Sequence, residues 1–133
     1  MVRETAVAFE ATTDRGFAET VARAREALQR EGFGVLAEID IRAKLEEKLG
    51  VQVEPNLILG ACHPPSAHRA LQAVPEVSVL LPCNVCVAVE QGRTVVRAMN
   101  PASVMEKLAS PALATVGAEV GAALRRVVAA TAG

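Results

Sequence analysis

Asn84-Val85-Cys86-Val87-Ala88-Val89-Glu90-Gln91-Gly92-Arg93-Thr94-Val95-Val96-Arg97-Ala98-Met99 is the stretch on which the fold turns. Two runs rich in β-branched residues flank Gln91-Gly92, which reads as a two-residue hairpin connection. Folded about that turn, Glu90 opposes Arg93, Ala88 opposes Val95, Cys86 opposes Arg97 and Asn84 opposes Met99. Side chains alternate between faces, so Val85, Val87, Val89, Thr94, Val96 and Ala98 collect on the other side as a core face. A slip of one residue would bury Arg93 and Arg97, so burial itself defends the register.

Upstream, Val35-Leu36-Ala37-Glu38-Ile39-Asp40-Ile41 alternates as a strand with Val35, Ala37, Ile39 and Ile41 toward the core and Glu38 and Asp40 away from it. Residues 4–10 alternate more weakly, with Thr5, Val7 and Phe9 on one face. Asp14 is a candidate cap for a helix carrying Phe17, Val21, Ala24 and Leu28, which Gly32 ends. A short helix over 42–49 uses Leu45 and Leu49, with Asp40 able to cap it and Gly50 closing it. Asn56 to Cys62 reads as a strand stopped by Pro64-Pro65. Ser66 then caps a helix with Ala67, Ala70, Leu71 and Val74, and Val77 to Leu81 reads as a buried strand or its lead-in. Pro82 cannot donate to a ladder and marks an edge, a bulge or a strand start.

Downstream, Asn100-Pro101 starts a helix containing Val104, Met105 and Leu108, and Ser110-Pro111 repeats the signal before a final helix reaching about Ala130. Gly117 and Gly121 give that helix a small-residue face, suited to packing within the chain or to a subunit interface. Strands cluster around a hairpin and helices bracket them. The fold class is therefore α+β, a mainly antiparallel sheet packed by helices, as one domain over residues 1–133.

Composition narrows function by exclusion. The chain has 133 residues, 51% of them hydrophobic and 22% charged, and a net charge of -1. Its 14 basic and 15 acidic residues are dispersed, with no basic stripe to draw phosphate backbones. Trp and Tyr are absent and only Phe9, Phe17 and Phe33 could stack on bases, so no nucleic acid partner is expected. No apolar run is long enough for a signal peptide or a membrane span. The expectation is a cytoplasmic protein with no membrane partner, whose three cysteines are thiols.

Gly32-Phe33 before Glu38-Ile39-Asp40, then Leu59-Gly60-Ala61-Cys62-His63-Pro64, then Leu80-Leu81-Pro82-Cys83-Asn84-Val85, resemble the domain of unknown function 302 family. The similarity covers roughly residues 4–130. The resemblance implies a compact α+β domain similar to the TATA-box-binding-protein-like class, and a homodimer; it implies no established activity. Cys62 and Cys83 are the matching positions. This chain departs from the family in having His63 where Asn is usual and Cys86 where an aliphatic residue is usual.

The chemistry-bearing residues concentrate around those motifs. Cys83-x-x-Cys86 has redox spacing, but such pairs work with the first sulfur at a helix N-terminus, and here the flanks read as strand. Cys86 opposite Arg97 places a cation beside a sulfur, which favours thiolate. Cys62, His63, Cys83 and Cys86 are the right types for zinc, yet the adjacency of Cys62 and His63 argues against one shared ion. No metal or cofactor is assigned. Glu38 and Asp40 could form an acid/base pair or be solvated, and His68 reads as a surface residue.

Three function classes stay open. The leading one is a homodimeric small-ligand-binding protein with a cleft lined by Cys62, His63, Cys83, Asn84, Cys86 and Arg97, the last suited to a small anionic ligand. The second is a thiol-dependent redox or sulfur-handling enzyme or sensor using Cys83 or Cys86. The third is a structural or partner-binding module with core cysteines.

Overall fold

The computed structural model describes residues 1–133. Six strands form one sheet: β1 Arg3–Glu4, β2 Ala8–Thr13, β3 Gly34–Asp40, β4 Asn56–Cys62, β5 Cys83–Glu90 and β6 Arg93–Met99. Their spatial order is β1-β2-β6-β5-β4-β3, and every neighbouring pair is antiparallel. Five helices accompany them: α1 Phe17–Arg30, α2 Ile41–Leu49, α3 Pro64–Ala73, α4 Pro101–Val104 and α5 Pro111–Ala132. The α+β class read from the sequence holds.

The central hairpin has the expected register, from Val85–Ala98 to Glu90–Arg93, with Cys86 across from Arg97. Gln91 and Gly92 both take positive φ, 51° and 78°, as a turn matching strand twist requires. Val85, Val87, Val96 and Ala98 are fully buried against the helices. Each buried valine contributes roughly 1.5–3 kcal/mol by leaving water. Val120, Leu124, Val127 and Val128 of α5, with Ala24 and Leu28 of α1, supply the facing layer.

Local chemistry sets the ends of the helices. Past α1, Phe33 N–H donates to the Leu28 carbonyl at 2.9 Å and Gly32 N–H to Gln29 at 3.0 Å, a Schellman closure that needs the positive φ of Gly32. Asp40 Oδ1 accepts from Ala43 N–H at 2.9 Å, so the expected cap of α2 is present. Ser110 Oγ accepts from Leu113 N–H at 3.2 Å at the start of α5.

Several expectations are corrected. Residues 4–10 are not one strand: the Thr5 hydroxyl accepts from Ala8 N–H at 3.0 Å and turns the chain, so β1 folds back on β2 and Val7 is exposed. Asp14 pairs with Arg93, and α1 starts after Gly16 with no side-chain cap. All of β3 is exposed, and a bulge at Leu36 reorders its faces; Glu38 lies on the helix side bonded to Arg25, while Ile39 faces away. No residue of α2 is buried. Pro75–Leu80 forms a 3₁₀ helix, with Val77 inside and Val79 outside. Pro64 and Pro65 begin α3, where missing N–H groups cost nothing, and Ser66 sits inside it. Past α4, Glu106–Leu108 is a 3₁₀ turn. Gly117 and Gly121 pack within the chain, against Ala102 and against Pro101 and Phe9.

Candidate functional site

The antiparallel ladders assign every strand residue to a face. Phe9, Ala98, Val85, Leu59 and Glu38 form one row on the helix side. Arg3, Glu10, Arg97, Cys86, Ile58 and Ile39 form a row across all strands on the open side. Cys83 pairs with Ala61 on the helix side, whereas Asn84 pairs with Gly60 on the open side. Alternation sets Cys83 on the helix side and Asn84, Cys86 and Arg97 on the open side, while Cys62 at the end of β4 and His63 beyond it join Cys83 at one cavity.

One group shares a cleft. Cys62, His63 and Cys83 line a cavity of about 310 Å³ between the sheet end, α3, α4 and α5. Ala67, Leu71, Met105, Val116 and Val120 supply much of its apolar wall, and no Asp, Glu, Lys or Arg lines it. Cys62 ends β4 half-buried, and Cys83 starts β5 with only 7% exposure. Burial pushes the Cys83 thiol up to about 11, and the neighbouring Cys62 adds a smaller push in the same direction. Gly60 lets the chain close here, since a Cβ there would lie 3.0 Å from Pro82 Cγ.

His63 supplies the polar end. It occupies the N-cap position of α3, and its Nδ1 lies 2.7 Å from Ser66 Oγ. Its ring tilts against Phe33 with centroids 5.4 Å apart. Ser66 is buried and belongs to the cleft in its own right, not merely to the helix cap that its sequence position suggests.

The other group lies on the far side of the sheet. Arg97 Nε donates to Glu10 Oε2 at 2.5 Å, while its two terminal nitrogens donate to Glu90 at 2.6 and 2.9 Å. Arg3 also donates to Glu10. Hydrogen bonds from Arg3 and then Arg97 hold the Glu10 carboxyl below its usual range, and Arg97 does the same for Glu90. Arg97 is therefore neutralised in place, which corrects its expected role toward a small anionic ligand. Cys86 is corrected as well: burial raises its thiol, and the opposing pull of Arg97 is the smaller effect. Asn84 is exposed on this same open face.

Cys62, His63, Cys83 and Cys86 do not assemble as zinc ligands, and no group of three or more His, Cys, Asp or Glu side chains is placed to share an ion. No helix is long and apolar enough to cross a membrane. Met105, Val116 and Val120 escaped the sequence reading as site residues because they come from distant helices and look like ordinary core.

The family described as Domain of unknown function DUF302 matches residues 9–131. A crystal structure of the uncharacterized conserved protein DUF302 from Bacillus stearothermophilus is similar at a TM-score of 0.87 and 31% identity. The match covers 95% of this chain and 98% of that one. No curated protein matches the chain.

Proposed function

The chain belongs to the DUF302 family, and on that footing we propose that it binds a small, neutral, mainly apolar ligand in the α3–α4–α5 cleft. The observation that carries this reading is the about 310 Å³ cavity, apolar on nearly every wall and polar only at His63, Ser66 and two thiols. A hydroxyl or carbonyl on the ligand would meet His63 and Ser66, and a hydrocarbon part would meet Met105 and Val116. Both thiols named for the enzyme alternative, Cys83 and Cys86, are held protonated by burial, which favours passive binding over thiolate chemistry.

Titration with n-decanol, read by calorimetry, tests the proposal. Saturable binding to the wild type, lost in Ala67→Phe with its fold intact by circular dichroism, is the expected result. Equal binding by both proteins, or none by the wild type, overturns it.

We also propose that two copies associate through the flank formed by β3 and α2. Val35, Leu36, Ile39, Leu49, Val51 and Val53 are all exposed there, Leu36 and Leu49 at 69% each. The opposite edge, β1, is only Arg3–Glu4, short and charged, as a protected edge should be. Analytical ultracentrifugation is expected to give a dimer that Leu36→Glu converts to monomer; a monomeric wild type overturns this.

A further inference from the structure

A second hollow adjoins the cleft at Met105. Pro101 and Met105 line both the about 310 Å³ cavity and a neighbouring hollow of about 280 Å³. The two take successive turns of one helix: Val120, Gly117 and Val116 border the first, and Ala114 and Leu113 border the second. At a rise of 1.5 Å per residue, Val120 to Leu113 is a trough of about 10 Å along α5.

A short strap crosses that trough. α4 lies on α5 with Gly117 facing Ala102, where a Cβ would meet Ala102 Cα at 3.4 Å. The front of the strap is tied down. Asn100 N–H donates to the Val7 carbonyl at 2.8 Å, and Ser103 Oγ donates to the Ala6 carbonyl at 2.7 Å. Its rear ends at Ala109, a residue with a side chain in the left-handed region at φ 50°. Between the tied front and the strained rear stands Met105, nearly buried, with an unbranched thioether that repacks readily.

We propose that Met105 is a gate between the two hollows, and that the occupant is a neutral single-chain amphiphile. Its polar end sits at His63–Ser66, and its chain runs along α5 past Met105 toward Ala114. This rests on the ligand-binding reading above and adds the ligand's shape and the residue that sets its length.

Titration with straight-chain alcohols from n-hexanol to n-dodecanol tests the gate. Affinity in the wild type is expected to rise with chain length and then level off. Met105→Ala should move the plateau to longer chains, and Met105→Phe should weaken n-dodecanol about tenfold while sparing n-hexanol. A plateau at the same length in all three proteins overturns the gate while leaving the cleft standing; failure of the wild type to bind any alcohol overturns both. Should a variant not fold, the Met105 methyl resonance in the wild type serves instead. It is expected to shift more with n-dodecanol than with n-hexanol, and an equal response to both overturns the gate.

Discussion

Arg97 stands directly across the β5–β6 ladder from Cys86, and gives its guanidinium hydrogens to Glu10 and Glu90. The cation that a sequence reading assigns to the sulfur is thus held by two carboxylates, and burial of the thiol prevails. Removing both carboxylates should reverse the balance. Glu10→Gln with Glu90→Gln leaves Arg97 without a counter-charge beside Cys86, and a drop of one unit in the thiol's pKa multiplies thiolate about tenfold. Alkylation of Cys86 at neutral pH, followed by peptide mass spectrometry, is expected to speed up by about that factor. An unchanged rate would mean that Arg97 does not act on the sulfur at all.

Cys83 makes a prediction about alkaline stability. Its folded thiol is pushed up to about 11, above the ordinary value near 8.5 of an unfolded chain. Between those values the native state keeps a proton that the unfolded state has lost, so stability falls as pH rises through this window. Below about pH 8 the contribution is fully present, and near pH 11 roughly 3 kcal/mol of it is gone. Cys86 adds a loss of the same sign, so the informative quantity is the difference from Cys83→Ala. Urea melts across the window should show a shallower alkaline decline for that variant; parallel declines would count against the raised thiol.

How much of this was readable in the chain depended on whether burial enforced a pattern. The hairpin was readable because Val85, Val87, Val96 and Ala98 are wholly buried and a slip would have exposed them. The strand β3 is legible, but its faces are not, because an edge strand exposed on both faces leaves alternation nothing to report and the bulge at Leu36 shifts the phase. Val77 to Leu81 is an apolar run without a period, which a 3₁₀ helix satisfies as well as a strand. Cys62, His63 and Cys83 line one cavity. Asn84, Cys86 and Arg97 do not, and parity alone sets Asn84 and Cys86 on the face opposite Cys83. The walls from α3, α4 and α5 could not be read locally, since they meet the thiols only through tertiary packing.

Two glycines should respond oppositely to alanine. At Gly121 a Cβ would meet Pro101 Cδ at 3.6 Å and Phe9 at 3.8 Å, ordinary contact distances in a helix interior. Gly121→Ala should therefore gain about 0.5–1 kcal/mol and raise Tm by roughly 2–4 °C. At Gly60 the nearest atom is Pro82 Cγ at 3.0 Å, on a rigid ring beside the start of β5. Gly60→Ala should cost roughly 1–3 kcal/mol through overpacking. Calorimetric melting of the pair checks both signs, and a stabilised Gly60→Ala would contradict the close approach.

His63 separates a structural role from a binding one. Its side chain makes no cap bond to the α3 backbone, whereas asparagine is among the strongest N-caps. His63→Asn can gain about 1 kcal/mol by capping, and it loses a tilted contact with Phe33 worth roughly 0.5–1.5 kcal/mol. The two effects nearly cancel, so Tm should stay close to the wild-type value. The polar end of the cleft does not survive the exchange, because the imidazole that engages Ser66 Oγ at 2.7 Å is gone. Losing one such hydrogen-bonding partner is expected to weaken n-decanol about tenfold by calorimetry, equivalent to about 1.4 kcal/mol. A fall in affinity at constant Tm marks His63 as the head-group contact. A variant that binds n-decanol as tightly as the wild type would remove His63 from the site and leave it as packing against Phe33.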